Sequence, residues 1–147
     1  MKNADPRRKD VILAEDDNDD VLVFELAAKE SEIAMDIRHA DNGDKLFVLL
    51  KQDVPDVLFL DIHMPCKDGV ACIVEIRKHH EYDNLPVIMY TSHTTEKHVN
   101  DCFRNGANLY MIKTRTIKEL ANNLRSIFSI DWKNHMYYPP KHQFVLS

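Results

Sequence analysis

Four short apolar runs in this chain each end on residues able to do chemistry. Val11-Ile12-Leu13-Ala14 leads into Glu15, Asp16 and Asp17, and Val57 to Leu60 leads into Asp61. Val87 to Tyr90 leads into Thr91 and Ser92, and Leu109 to Ile112 leads into Lys113. One polar residue at a strand end is ordinary. Acids, a hydroxyl and an ammonium recurring at the ends of separate runs point to one shared site. Crowded carboxylates repel and raise each other's pKa. A hard divalent cation removes that cost, and magnesium suits best because it takes one or two carboxylates and keeps its waters. Such a site is poised for phosphate. A carboxylate can serve as nucleophile and form an aspartyl-phosphate, with Lys113 and the Thr91 hydroxyl on the phosphoryl oxygens. Phosphoryl transfer asks mainly for positioning and charge stabilisation.

The elements that must hold these residues alternate regularly. The continuous apolar runs read as strands buried on both faces. Ile33 to His39 is a further, less apolar strand, nearer an edge. Between the strands lie helical patterns: Asn18 to Glu30 with Val21, Phe24 and Ala28 in step; Leu46, Leu49 and Leu50 after the turn Asp41-Asn42-Gly43; Val70, Ile73 and Val74 up to His79. Val99, Cys102 and Phe103 follow, with Gly106 as the expected C-terminal cap. The last stripe is Ile117, Leu120, Ala121, Leu124 and Ile127, opened by Thr116 and Glu119 as a capping box. Strands alternating with helices predict an α/β fold with a parallel sheet covered on both faces. At this length an open doubly wound sheet is expected, not a closed barrel. In such sheets ligands bind beyond the carboxyl ends of the strands, where strand order reverses.

The 147 residues suit one domain, and a balance of 44% apolar and 29% charged residues is ordinary for a globular chain. A net charge of −5 argues against a general nucleic-acid binder. The basic cluster Arg7-Arg8-Lys9 reads as a solvated edge before the first strand. No apolar run approaches a membrane span, and Asp5, Pro6 and Arg7 stand where a signal peptide needs apolar residues, so a cytoplasmic protein is expected. Cys66, Cys72 and Cys102 form no CxxC pair and read as reduced thiols. Histidines 79 and 80 are adjacent and His93 and His98 are five apart, which puts no two on one helical face. The spacing therefore predicts surface histidines and no zinc site, with His63 and His93, two residues past Asp61 and Thr91, flanking the expected site. Asp17, Asp19 and Asp20 read as first-turn acids favoured by the helix dipole. Residues 131–147 carry Trp132, Tyr137, Tyr138, Pro139, Pro140 and Phe144 without periodicity and read as a C-terminal tail without its own fold.

The pieces "VILAEDD" (11–17), "LFLDIHMPCKDG" (58–69), "PVIMYTS" (86–92) and "GANLYMIK" (106–113) resemble, in order and spacing, the receiver domain of two-component response regulators. The resemblance covers residues 9 to 130. It implies a flavodoxin-like (βα)5 sheet in strand order 2-1-3-4-5, with residues 1–130 as the receiver domain. It implies Asp61 as phospho-acceptor, taking phosphate from a histidine kinase or a histidine phosphotransfer protein. It further implies Asp16 as a direct Mg2+ ligand with Asp61 and the backbone carbonyl of His63, Glu15 completing the acidic pair through water, Thr91 as switch hydroxyl, Lys113 as phosphate partner and Tyr110 as switch aromatic. Slow autodephosphorylation, not turnover, is expected. The output would pass through the face of the fourth helix, fifth strand and fifth helix, including Tyr110, His98 and parts of Arg115 to Arg125, to a protein partner and not to DNA or a membrane, from a monomer or homodimer. The aromatic tail looks like that of some stand-alone receivers linked to phytochrome-type kinases. One departure is Thr114, where the family usually has proline after the lysine. Two other classes compete with this reading. One is a phosphate-independent receiver-like interaction module. The other is an aspartyl phosphatase, which would want a second acid where this chain has His63.

Overall fold

The computed structural model describes residues 7–146; residues 1–6 and 147, the ends of the expected domain and tail, lie outside the described residues. The elements follow in the order β1 (Lys9–Ala14), α1 (Asn18–Ser31), β2 (Met35–Ala40), α2 (Gly43–Gln52), β3 (Val57–Leu60), α3 (Gly69–Lys78), β4 (Val87–Thr91), α4 (Glu96–Arg104), β5 (Leu109–Ile112), α5 (Ile117–Phe128) and β6 (Val145–Leu146). All strand pairs are parallel, in the order β2-β1-β3-β4-β5-β6. The expected order 2-1-3-4-5 is present, with one strand added at the β5 edge.

The two faces follow from the period of the strand. Ile12 and Ala14 of β1, Leu58 and Leu60 of β3, and Met89 of β4 pack with Leu46, Leu50, Ile73 and Ile76 from α2 and α3. Val11, Leu13, Val57, Phe59, Ile88 and Tyr90 point the other way, onto Phe24, Leu120, Leu124 and Ile127 of α1 and α5. Both faces are apolar because both are covered, which is why these strands read as continuous runs. Helix starts are set by side chains: Asp17 accepts from the amides of Asp19 and Asp20, Asn42 from Lys45, Asp68 from Ala71, Thr95 from His98 and Thr116 from Glu119. Gly106 ends α4 with φ 91°, while the amides of Gly106 and Ala107 return to the carbonyls of Phe103 and Cys102. That is the paired C-terminal arrangement that favours glycine.

The tail is drawn into both layers. Trp132 lies in the α1–α5 layer, where its indole N–H donates to the Ile127 carbonyl. Phe144 is fully buried on the opposite face, its ring 5.2 Å from Phe103 and 6.0 Å from Tyr110. Its carbonyl accepts from the Tyr110 amide at 2.9 Å, and β6 pairs with β5 just beyond. Asn108 adds a tie, donating to the Tyr137 carbonyl. The same Asn108 accepts from Arg77, whose buried guanidinium also donates to the carbonyls of Tyr82, Leu85 and Gly106.

Candidate functional site

Strand order reverses at β1, whose chain continues to β2 on one side and, later, to β3 on the other. The crevice of a doubly wound sheet opens at such a point. Here it lies between the carboxyl ends of β1 and β3. Glu15 and Asp61 continue those strands: the Glu15 amide donates to the Ala40 carbonyl and the Asp61 amide to the Ala14 carbonyl. Both acids therefore stand on hydrogen-bonded sheet backbone. Asp61 is 6% exposed and Glu15 is fully buried, while Asp16 faces solvent. Their ligand oxygens lie within 4.8 Å of one another.

Lys113 enters from β5, its amide bonded to the Thr91 carbonyl. Its Nζ lies 2.7 Å from Glu15 Oε2, 2.7 Å from Asp20 Oδ2 and 3.2 Å from Asp61 Oδ2. Burial opposes the lysine's charge, but the bonds to Asp20 and Glu15 outweigh it and hold the ammonium protonated well above its ordinary range. Burial pushes the Glu15 carboxyl up to about 7, against the nearby lysine and with help from the charge of Asp61. Glu15 Oε2 is buried, with the Lys113 ammonium at 2.7 Å as its one partner among the described residues. A buried acidic oxygen with an unused lone pair, beside two further carboxylates, fits a hard divalent cation and its waters.

Thr91 ends β4 fully buried, and its hydroxyl accepts from the His93 amide at 3.2 Å. Tyr110 is also fully buried, and its hydroxyl donates to the His93 carbonyl at 2.6 Å. The Lys113–Thr114 peptide is trans, since no cis peptide occurs among the described residues. Glu15, Asp16, Asp61 and Lys113 thus meet at this edge of the sheet, while Thr91 and Tyr110 both bond His93 beside it. Asp20, a first-turn acid of α1, also joins this group through its ion pair with Lys113. It lies three residues after the N-cap Asp17 and meets Lys113 from there.

Three histidines crowd the rim. The His63 ring lies 4.0 Å from His93 and 5.9 Å from His98, and His93 lies 5.4 Å from His98. Burial, then the neighbouring His63 and His98, depress the His93 pKa. Their places two residues past Asp61 and Thr91 put His63 and His93 beside the site, whereas spacing could not show the approach of His98 from the first turn of α4.

Fold and site together define a doubly wound α/β protein with an acidic crevice at the carboxyl ends of β1 and β3. The chain belongs to the response regulator receiver domain family, which matches residues 11–125. Members of this family are the phosphorylation-dependent switches of two-component systems and not classical enzymes. They receive phosphate from histidine kinases or phosphotransfer proteins and generally bind Mg2+ at an acidic pocket. The chain is 36% identical over 88 residues to the transcriptional regulatory protein KdpE of Staphylococcus aureus (strain NCTC 8325 / PS 47), covering 60% of this chain and 37% of that protein. It is 31% identical to the transcriptional regulatory protein CitT of Bacillus subtilis (strain 168), covering 93% of this chain and 55% of CitT. It is 26% identical to response regulator Rcp1 of Synechocystis sp. (strain ATCC 27184 / PCC 6803 / Kazusa), covering 82% of this chain and 87% of Rcp1. The chain thus spans only about a third to a half of KdpE and CitT. The Mn2+-bound structure of Rcp1 superposes with a TM-score of 0.74 over 90% of this chain and 99% of that one, at 25% identity. Phosphorylated RcpA, a cyanobacterial phytochrome response regulator, shares the fold with a TM-score of 0.77 at 20% identity, over 88% of this chain and 97% of that one. No described helix is long and apolar enough to cross a membrane.

Proposed function

We propose that the chain is a phosphoryl-accepting switch whose acceptor is Asp61. The observation that carries this reading is the convergence of Lys113 on Glu15, Asp20 and Asp61, at 2.7 to 3.2 Å, at the sheet's reversal point. Asp61 Oδ1 is engaged by the Ile62 amide at 2.7 Å and Oδ2 by Lys113 at 3.2 Å, and Oδ2 is the attacking oxygen once Lys113 moves to the phosphoryl group. In the transfer, a bond forms between Oδ2 and phosphorus as the bond to the donor imidazole nitrogen breaks, and the electron pair leaves with that imidazole. Asp16, Asp61 and the His63 carbonyl would hold Mg2+ directly, with Glu15 bonded through a water. The cation supplies charge neutralisation to the acids and the incoming phosphoryl oxygens. Lys113 turns from Asp20 to a phosphoryl oxygen. The Thr91 hydroxyl leaves the His93 amide for another, and Tyr110, bonded to the same short segment, follows. Water later attacks the acyl phosphate slowly and returns a free Asp61 and inorganic phosphate.

The signal then leaves through α4, β5 and α5 to a protein partner in the cytoplasm. β6 already pairs with β5 in this conformation, so the output surface includes the extension 131–146 beyond the receiver domain proper.

The test is the intact mass after incubation with acetyl phosphate and Mg2+, beside Asp61→Asn. A single phosphoryl adduct that needs Mg2+ and is absent from the variant is expected. An adduct on the variant would move the nucleophile elsewhere. A folded wild type that accepts phosphate neither from acetyl phosphate nor from a histidine kinase would favour the phosphate-independent interaction module.

A further inference from the structure

We propose that His63, His93 and His98 form a second metal site, for a borderline transition cation of the zinc class, on the rim above the acidic pocket. The three rings are 4.0, 5.4 and 5.9 Å apart between centroids. Imidazoles sharing one tetrahedral zinc, each with nitrogen about 2.1 Å from the metal, place their centroids roughly 5 Å apart. The ring centres thus stand at about the spacing of a coordination shell, although their nitrogens do not yet converge.

The ring nitrogens are available. Among the described residues, no side chain or backbone group bonds a ring nitrogen of His63 or His93. His98 Nδ1 is engaged by the Thr95 hydroxyl, which leaves Nε2 as the nitrogen for a metal. A ligating histidine characteristically has its other nitrogen held by such an outer partner, which fixes ring orientation and tautomer. Only Glu15, Asp16 and Asp61, among the described residues, have ligand atoms mutually within 4.8 Å, so the imidazoles complete their convergence by side-chain rotation. His63 is exposed and the other two are half-buried, so that rotation meets no packed core.

The two sites sort their cations by ligand type. Oxygen ligands suit magnesium, whereas imidazole suits zinc, copper or nickel. The three histidines come from three separate segments, so a bound cation cross-links the β3–α3 connection, the β4–α4 connection and α4. This proposal does not rest on phosphoryl transfer at Asp61.

The test is titration of chelator-stripped protein with Zn2+ in excess Mg2+ by calorimetry, and with Co2+ by visible absorption. One equivalent of Zn2+ and an intense tetrahedral Co2+ band are expected. His93→Gln and His98→Gln should each weaken Zn2+ by at least ~10-fold, with circular dichroism unchanged. Asp61→Asn and Cys66→Ser should retain the site. The proposal is overturned if the wild type binds no Zn2+, if the histidine variants bind like wild type, or if binding is lost in Asp61→Asn or Cys66→Ser. The acetyl phosphate experiment is run without zinc, so failure of either reading is distinguishable from failure of the other.

Discussion

Gly69 opens α3 directly beneath the acceptor strand, and replacing it with alanine sets two effects against each other. Alanine is the better helix former, by about 1 kcal/mol at most. Against that, a Cβ at this position would lie 2.2 Å from the Asp61 carbonyl oxygen, 2.8 Å from Ile62 Cα and 2.9 Å from the Asp61 carbonyl carbon. All three obstacles are backbone, so no side chain can swing aside. The Gly69 amide also donates to the Ile62 carbonyl at 2.7 Å, which pins the helix start to this spot. Overpacking of this kind costs about 1–3 kcal/mol, and immovable neighbours put it at the upper end. The net expectation is a loss of about 2 kcal/mol. For a chain of this size, urea slopes of about 1–3 kcal/mol/M convert that loss to a midpoint lower by roughly 1 M. Relief requires α3 to back away and carry the Asp61–Ile62 peptide with it, so phosphoryl uptake from acetyl phosphate should slow by about tenfold or more. A Gly69→Ala variant as stable as wild type, or more stable, would refute the claim that this contact fixes the acceptor.

Phe144→Ala should destabilise the docked tail by about 3–5 kcal/mol, and hydrogen exchange at the Tyr110 amide, bonded to the Phe144 carbonyl, should rise while the β1 amides keep their protection. An unchanged Tyr110 amide would show that the tail is not anchored through this ring. Burial pushes the thiols of Cys72 and Cys102 up to about 12, whereas Cys66 is exposed. A disulfide reagent at about pH 8 should therefore label one thiol in the folded protein and three after denaturation, read by mass. Arg77→Met strips a donor from four acceptors at once and should cost about 3 kcal/mol or more. Arg77→Lys should recover only part of that, because an ammonium cannot reproduce the guanidinium fork; urea denaturation measures both.

The central strands were legible in the sequence because both their faces are buried, so each announces itself as an unbroken apolar run ending on its site residue. β2 was placed two residues early: it lies at the edge, half exposed, and its mixed residues Met35-Asp36-Ile37-Arg38 mark no sharp start. β6 was not legible at all. It is two residues long, and it is fixed by one buried aromatic and a hydrogen bond to a residue 34 positions earlier, not by any local pattern. The acids, Thr91 and Lys113 could be assigned to one edge from strand ends alone. The ion pair of Asp20 with Lys113 and the approach of His98 to His63 and His93 could not. Asp20 joins the site from the flank of a helix, and the histidines converge only once α4 is laid beside two connections.

The tail has a consequence for anything that approaches β5. A segment tethered to its own docking groove competes at an effective concentration of about millimolar. A partner seeking the β5 edge or the Phe144 socket must therefore outbid a ligand that never diffuses away. Its apparent affinity falls by the fraction of molecules in which the tail is undocked. The tail thus acts as a threshold: weak or accidental strand partners are turned away from the sheet edge, and a perturbation at Tyr110 that loosens Phe144 lowers the threshold without creating a new contact.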